Sequence, residues 1–127
     1  MDWILPVAQR WYASIDDGTK EVEGRVPDVS KPSKNYATLQ RRDIAIFYAV
    51  DGNYKRIEDL PEIKFLVGYN EKYPSVQEML ESEGLARVLP GVSSVEEGIK
   101  IYHAFPGYEE RIRSNGIYAI GLDKRLS

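Results

Sequence analysis

The sequence predicts an α+β protein, a small and mainly antiparallel β-barrel flanked by three to four helices. Three observations predict it. Short β-rich segments outnumber what parallel β-α-β units would need. A tight-turn signal at Asp51-Gly52 favours a hairpin. Apolar residues recur at helical spacing between the strands. The 127 residues leave room for one domain, which we predict over residues 1–127.

One helix lies between strands in the N-terminal half. Val7, Trp11 and Ile15 lie on one helical face, and Gly18 ends this helix because glycine tolerates a left-handed turn. Residues 44–50 are the longest apolar run, and we predict a buried strand over residues 43–50. The other predicted elements of this half are a strand at 3–6, a strand at 20–26 and a loop at 27–34.

Capping and turn signals divide the C-terminal half. Ser75 and Ser94 each precede a glutamate by three residues, a capping box that starts a helix. Gly84 ends the first of these helices. The remaining predicted elements are a weak hairpin strand at 54–57, a strand at 63–69, a turn at 89–91, a short helix at 108–114 and a last strand at 117–122.

Composition excludes several classes of protein. There is no cysteine and a single histidine, His103, so disulfide scaffolds, zinc ribbons, Cys-His proteases and sites needing two imidazoles are excluded. We predict no metal and no cofactor. No apolar run reaches the roughly 20 residues that cross a bilayer, and residues 1–10 lack a signal-peptide pattern. We therefore expect a cytoplasmic monomer that makes no membrane contact.

The net charge of −3 is unevenly distributed. Residues 20–56 carry eight Lys or Arg against five acidic residues, whereas residues 57–100 carry four against nine. The total charge excludes tight binding of long nucleic acid, which depends on counterion release by many basic residues. A local basic patch on residues 20–56 that binds a short RNA segment is compatible with this net charge.

The segment Gly18-Thr19-Lys20-Glu21-Val22-Glu23-Gly24-Arg25 fits the pattern Gly-x-Lys-x-x-Glu-x-Arg, placed after a helix and opening a strand. It resembles the signature of the ASCH family, whose domains have a PUA-like β-barrel fold. Residues 39–47 resemble the family's second landmark, usually Val-Gly-Asp before a strand, with Arg42 in place of the glycine and Asp43 kept. Further similar segments lie at 75–80, 89–91, 101–102, 106–108 and 116–120.

This resemblance implies a cleft for RNA or a nucleotide, lined by Lys20, Glu23 and Arg25. Some small bacterial members are amidohydrolases that deacetylate N4-acetylcytidine, and others resemble ribonucleases. The amidohydrolase lysine falls on Lys20, its threonine position is occupied by Glu23, and its later glutamate falls near Glu71 or Lys72. If the protein is an enzyme, the resemblance implies Lys20, Glu23 and Glu71 as its catalytic residues.

The residue types of the signature suit a base or a phosphate. Arg25 offers a planar fork of donors, and Glu23 can accept from an exocyclic amine such as cytosine N4. A desolvated Lys20 can lose its proton and act as a base. Alternate strand residues face opposite sides, so Glu23 and Arg25 share a face, and Lys20 joins them only if a turn or bulge re-aims it. A purely structural ion network is the alternative.

Further residues are expected to border the cleft. Tyr36 is suited to stacking on a splayed base. Tyr108 and Arg111 lie one turn apart at a helix start, a place that attracts anions. A basic rim is formed by Lys31, Lys34, Arg41 and Arg42. The predicted ligand-binding residues are Lys20, Glu23, Arg25, Tyr36, Arg41, Arg42, Tyr108 and Arg111.

Three functions therefore stay open at this point. The first is recognition of single-stranded RNA, a nucleoside or a nucleotide in the cleft. The second is hydrolysis of a modified nucleoside or of RNA, and the third is a protein-interaction module that uses the acidic segment 57–100. Trp11 and Tyr12 lie on the apolar helical stripe and are assigned to the core. His103 is assigned to an exposed or half-buried position on a helix.

Overall fold

The five strands form one curled sheet, a half-barrel with the order β1-β3-β4-β5-β2. The structure, a computed structural model, describes residues 1–127. The strands are β1 (Asp2–Ala8), β2 (Val22–Arg25), β3 (Ile44–Val50), β4 (Ile63–Tyr73) and β5 (Ile117–Arg125). Only β1 and β3 are parallel, so the mainly antiparallel α+β prediction is confirmed. The sheet stays open, with β1 at one edge and β2 at the other.

Five helices flank the sheet, not three to four. They are α1 (Gln9–Asp16), α2 (Val76–Glu83), α3 (Leu85–Val88), α4 (Val95–His103) and α5 (Tyr108–Asn115). The unpredicted helix, α3, is a single turn and too short to show an apolar period. The Ser75 and Ser94 hydroxyls accept hydrogen bonds from the backbone amides of Glu78 and Glu97, both at 3.1 Å. These bonds confirm the two serines as N-caps. None of the helices has the length and apolar character needed to cross a membrane.

Several predicted elements differ from the structure, and two strands, β4 and β5, extend beyond their predicted ends to Tyr73 and Arg125. Val7 belongs to β1 and not to the helix. Alternate side chains of β1 are buried, and Val7 is the third buried one after Trp3 and Leu5. The hairpin strand at 54–57 is absent, and a single bridge joins Val50 to Arg56. The second strand begins only at Val22. The amide of Lys20 donates to Ser14 at the end of α1, which keeps this residue out of the sheet.

The curl of the sheet arises along β4. Its pairing with β5 shifts register between Leu66 and Val67 and again between Val67 and Tyr69. Such irregularities bend a strand and increase its twist. Gly121 of β5 allows the ring of Tyr69 to lie directly on the backbone, where a β-carbon would collide with it. The bent sheet brings its two edge strands towards each other.

The interior consists of two apolar clusters. One packs β1, β3 and β4 with α1, and Leu5, Ile15 and Phe47 are fully buried in it. The other lies under the C-terminal helices and includes Met79 and Ile117. The side chain of Trp11 packs against both clusters. The two cores therefore meet beside α1, close to the gap between the sheet edges.

Candidate functional site

The gap between the two edge strands is bridged by one side chain. The Arg25 guanidinium on β2 donates from Nη2 to the carbonyl of Pro6 on β1, at 2.6 Å. No backbone ladder joins these two strands. Because Pro6 lacks an N–H group, it cannot donate to a neighbouring strand and suits an edge. The Arg25 side chain thus takes the place of strand pairing and leaves a hollow beside it.

Lys20 is brought to this hollow although it lies outside β2. Its side chain is buried, and its Nζ donates to the carbonyl of Val22 at 2.9 Å and to the carbonyl of Val88. A third acceptor, Oε1 of Glu23, lies 3.4 Å from Nζ. An ammonium group has three hydrogens to donate. The three surrounding oxygens therefore match a protonated Lys20.

Glu23 and Arg25 form a buried ion pair on the same face of β2, as the alternation of a strand predicts. Nε and Nη2 of Arg25 donate to the same carboxylate oxygen, Oε2, at 3.0 and 2.8 Å. Nη1 of Arg25 has no acceptor in the protein, and Oε1 of Glu23 accepts only from Lys20. One donor group and one partly used acceptor are therefore free for a ligand.

Burial and mutual charge set the protonation of this trio. Burial raises the pKa of Glu23, but Arg25 and Lys20 outweigh it and hold the net pKa below its ordinary value. Burial also opposes the charge of Arg25, yet Glu23 raises its pKa above the ordinary value. Burial lowers the pKa of Lys20 against the opposing charge of Glu23. With Lys20 protonated, the trio carries one positive charge in excess.

A cavity of about 180 Å³ opens beside the trio. Apolar cavities of about 150 Å³ hold one benzene molecule, so this volume fits a single six-membered ring. Its wall is mostly apolar, and Val7 and Leu89 bring the two core clusters to it. The lining residues that matter for chemistry are Pro6, Trp11, Lys20, Glu23, Arg25 and Tyr102.

Gly24 allows the floor of the cavity to form. A β-carbon at this position would collide with the hydroxyl of Tyr102 and lie 2.8 Å from its ring carbon Cζ. The ring of Tyr102 therefore packs on the β2 backbone, and burial raises its pKa well above the ordinary value. A neutral tyrosine hydroxyl thus lies beside the charged trio.

A larger groove of about 720 Å³ adjoins the cavity. Pro6, Arg25 and Tyr108 line both, so they form the border between the two spaces. Arg111 lies in the groove with its guanidinium carbon 5.3 Å from the Tyr108 ring centroid. Tyr36 also lines the groove, although only 5% of it is exposed. The structure therefore brings Tyr36, Tyr108 and Arg111 next to the signature trio.

Two predicted rim residues, Arg41 and Arg42, lie elsewhere. Arg41 and Arg42 occupy the turn before β3, beside Val67, and line neither the cavity nor the groove. The start of β3 is about 20 Å from its Val50 end, which lines the cavity, given about 3.3 Å per strand residue. The expected rim thus consists of Lys31 and Lys34 without these two arginines.

Glu71 also lies away from the cavity. It is exposed on β4, opposite Ala119 of β5, and lines neither space. Thr19, the threonine next to Lys20, does not reach the cavity either. Its hydroxyl donates to Asp17 at 2.6 Å, at the exposed end of α1. The carboxylate and the threonine that an amidohydrolase resemblance implies are therefore missing from the cavity.

Asp43, the acidic residue of the second landmark, has a structural role. Its carboxylate accepts from the Trp3 indole at 2.9 Å, from the amide of Gln40 at 2.9 Å and from the N-terminal amine at 3.3 Å. Arg42 beside it has a left-handed φ of +77°. Glycine adopts this conformation without strain, so the arginine at this position is strained.

Sequence reasoning missed several cavity residues. Trp11 was expected only in the core, and it packs there but also lines the cavity, as does Tyr102. Tyr54 is 70% exposed, has a left-handed φ of +61° and stands at the cavity mouth. An aromatic residue two positions after Asp51-Gly52 was the available signal for Tyr54. His103 is half-buried on α4 and lines neither space.

The fold and site define a small α+β half-barrel protein with a charged cavity at its open seam. The chain is similar to the crystal structure of hypothetical protein PH0355, with 34% identity over 98% of this chain and 99% of that one, and a TM-score of 0.76. It is also similar to the solution NMR structure of protein PF0455 from Pyrococcus furiosus, with 31% identity, 98% and 97% coverage, and a TM-score of 0.68. The chain belongs to the family of these two proteins. No protein-family model and no curated protein matches it.

Proposed function

We propose that this protein is an ASCH-like, PUA-like module that binds a pyrimidine base of RNA or of a nucleotide in the cavity at the sheet seam. The observation that carries the proposal is the buried trio of Lys20, Glu23 and Arg25 beside a cavity the size of one ring. An excess positive charge that is shielded from water is costly unless a partner compensates it. A carbonyl or anionic edge of a ligand supplies such a partner.

The free groups favour cytosine over uracil. Nη1 of Arg25 can donate to the O2 and N3 acceptors of cytosine, and Oε1 of Glu23 can accept from its exocyclic amine. Uracil would place its O4 carbonyl against the carboxylate instead. A site that hydrogen-bonds a substrate group rejects the analogue that leaves its polar atoms unpaired.

The test is calorimetric titration of the folded protein at low salt with the four nucleosides and with short single-stranded RNAs. We expect cytidine and cytidine-containing RNA to bind, and Arg25→Lys to weaken binding at least tenfold, because lysine lacks the fork and one charged hydrogen bond contributes about 1.5–3 kcal/mol. Arg113→Lys, on the exposed surface of α5, is the matched control. Absence of binding to every one of these ligands would refute the proposal.

Hydrolysis of a modified nucleoside is a second candidate, favoured by one observation. Lys20 has a pKa lowered by burial and lies 3.4 Å from a carboxylate at a cavity wall, an arrangement common in active sites. Against it, the three acceptors around Nζ suit the protonated form. Incubation with N4-acetylcytidine and with single-stranded RNA decides the matter. Turnover that Lys20→Met abolishes supports an enzyme, and equal backgrounds for both proteins reject it.

A further inference from the structure

The groove shares a border with the cavity and is four times as large, at about 720 against 180 Å³. Its border residues, Pro6, Arg25 and Tyr108, belong to both spaces. A ring that enters the cavity past this border would leave its sugar and phosphate in the groove. A free nucleoside would leave most of the groove empty.

Three basic side chains converge on the groove from two parts of the chain. Lys31 and Lys34 come from the loop after β2, and Arg111 comes from α5. None of the three is in an ion pair, and the buried Nε of Arg111 has no hydrogen-bond partner. The acidic groups of the groove are Asp2 and Asp28.

Asp28 is already engaged within its own loop. Its carboxylate accepts from the Ser30 hydroxyl at 2.6 Å and from the Ser30 amide at 3.1 Å. This bonding lowers the pKa of Asp28, and the charges of Lys31 and Arg111 lower it further. Asp2 lies at the start of β1, at the far end of the groove from Pro6. The three unpaired cations therefore outnumber the acids, and Arg111 keeps an unused donor.

The aromatic walls suit neighbouring bases. Tyr48 and Tyr108 line the groove with partly exposed rings, and bases stack on tyrosine rings irrespective of sequence. We infer that the groove is a phosphate and strand subsite, so that the ligand is a single-stranded oligonucleotide with one base in the cavity and its backbone held by Lys31, Lys34 and Arg111. This inference rests on the proposed function, because the cavity is assumed to hold the base.

The experiment compares cytidine with the RNA hexamer UUCUUU by calorimetry at several salt concentrations. We expect the hexamer to bind at least tenfold more tightly than cytidine at low salt. Each phosphate contact of a single strand contributes about −0.7 to the slope of log K against log salt, so three contacts give a slope of about −2. Cytidine binding should be almost independent of salt.

Variants of the basic residues separate this inference from the proposed function. Lys31→Gln with Lys34→Gln, both exposed in a loop, should reduce the hexamer slope by about 1.4 and leave cytidine affinity unchanged. Arg111→Gln should act in the same direction. The matched control is Arg41→Gln with Arg42→Gln, which removes two exposed arginines outside the groove.

Each outcome decides between the two ideas. Equal affinity for hexamer and cytidine would overturn the strand subsite and leave the base cavity intact. Hexamer binding that depends on Lys31, Lys34 and Arg111 without any cytidine binding would support the groove and overturn the cavity. Absence of both overturns both. Binding of a polyglutamate peptide as tightly as the hexamer would overturn the RNA assignment and indicate an acidic protein partner.

Discussion

Nη2 of Arg25 donates to the carbonyl of Pro6 at 2.6 Å and so connects the two strands that the sheet leaves unpaired. The same guanidinium is held by Glu23 at 2.8 Å. One side chain therefore closes the half-barrel and lines both spaces at its seam. This coupling means that the stability of the fold and the chemistry of the site depend on the same buried ion pair.

The buried pair should stabilise the fold far more than a surface pair of equal length. Arg25–Glu23 and Arg125–Asp16 both have an N–O distance of 2.8 Å, but the second is exposed. Arg25→Gln removes the two hydrogen bonds to the Glu23 carboxylate and the bond to Pro6 that closes the seam. It should lower the free energy of unfolding by about 3–5 kcal/mol, because each charged hydrogen bond contributes about 1.5–3 kcal/mol. Arg125→Gln should lower it by less than about 1 kcal/mol. Equal losses in urea denaturation would show that the seam pair has no special role.

Stability should fall in acid through Glu23. The folded protein holds the pKa of Glu23 below its ordinary value of 4.5, so the ionised carboxylate stabilises the fold above that pH. This stabilising contribution of Glu23 is lost progressively as the pH falls below 4.5 and then through the lower pKa that Glu23 has in the folded protein. Urea midpoints measured from pH 7 to pH 3 should decline in the wild type, with a further contribution from Asp43, whose pKa is also lowered. Glu23→Gln should start less stable and decline less, and an unchanged decline would contradict this assignment.

Gly24 should not tolerate a side chain. In Gly24→Ala the new methyl group would overlap Tyr102, and overpacking of this kind costs about 1–3 kcal/mol. Gly52→Ala is the control, because its β-carbon would meet nothing within 4 Å and its φ is not left-handed. We expect loss of stability and of cytidine binding in the first variant alone. Full binding by Gly24→Ala would mean that this strand is not the floor of the ligand site.

Relief of backbone strain should separate stability from binding. Arg42 and Tyr54 both have a left-handed φ, of +77° and +61°, which costs a residue with a β-carbon about 1–2 kcal/mol. Glycine removes that strain but adds unfolded-state entropy, so each substitution to glycine should leave stability unchanged or raise it by up to about 1 kcal/mol. Of the two variants, only Tyr54→Gly should weaken cytidine binding, because Tyr54 lines the cavity and Arg42 does not. Equal binding by both variants would remove Tyr54 from the site.

Base preference follows from the carboxylate of Glu23. Wild-type protein should bind cytidine about tenfold more tightly than uridine, because one hydrogen bond to a charged group contributes at least about 1.5 kcal/mol. Glu23→Gln presents an amide that can donate to O4 of uracil, and it should narrow or reverse the preference. Competition titrations with the two nucleosides measure this ratio. A preference that is the same in both proteins would show that Glu23 does not contact the base.

Local signals in the sequence predicted most of the elements, because capping and periodicity act over a few residues. The caps at Ser75 and Ser94 and the apolar strand at 44–50 are as predicted. The prediction of a hairpin strand at 54–57 was wrong. Asp51-Gly52 predicts a turn, but it does not determine whether the residues after the turn pair with the preceding strand. The open seam and the parallel pairing of β1 with β3 depend on contacts distant in sequence, which no local pattern specifies.

The site was predictable in part for the same reason. Glu23 and Arg25 share a face because strands alternate, but Lys20 joins them through bonds to Val22 and Val88, and the second of these partners is remote in sequence. Basic residues near the signature in sequence were assumed to lie near it in space. The length of β3 separates Arg42 from the cavity, whereas Arg111 comes to the groove from the far end of the chain.

Amide chemical-shift mapping tests the central claim most directly. Titrating labelled protein with cytidine should shift the amides of Gly24, Arg25 and Tyr102 first, and titrating with UUCUUU should add shifts at Lys31, Lys34 and Arg111. Shifts confined to the turn at Arg41 and Arg42, or to the acidic segment 57–100, would contradict the assignment of the seam cavity as the ligand site.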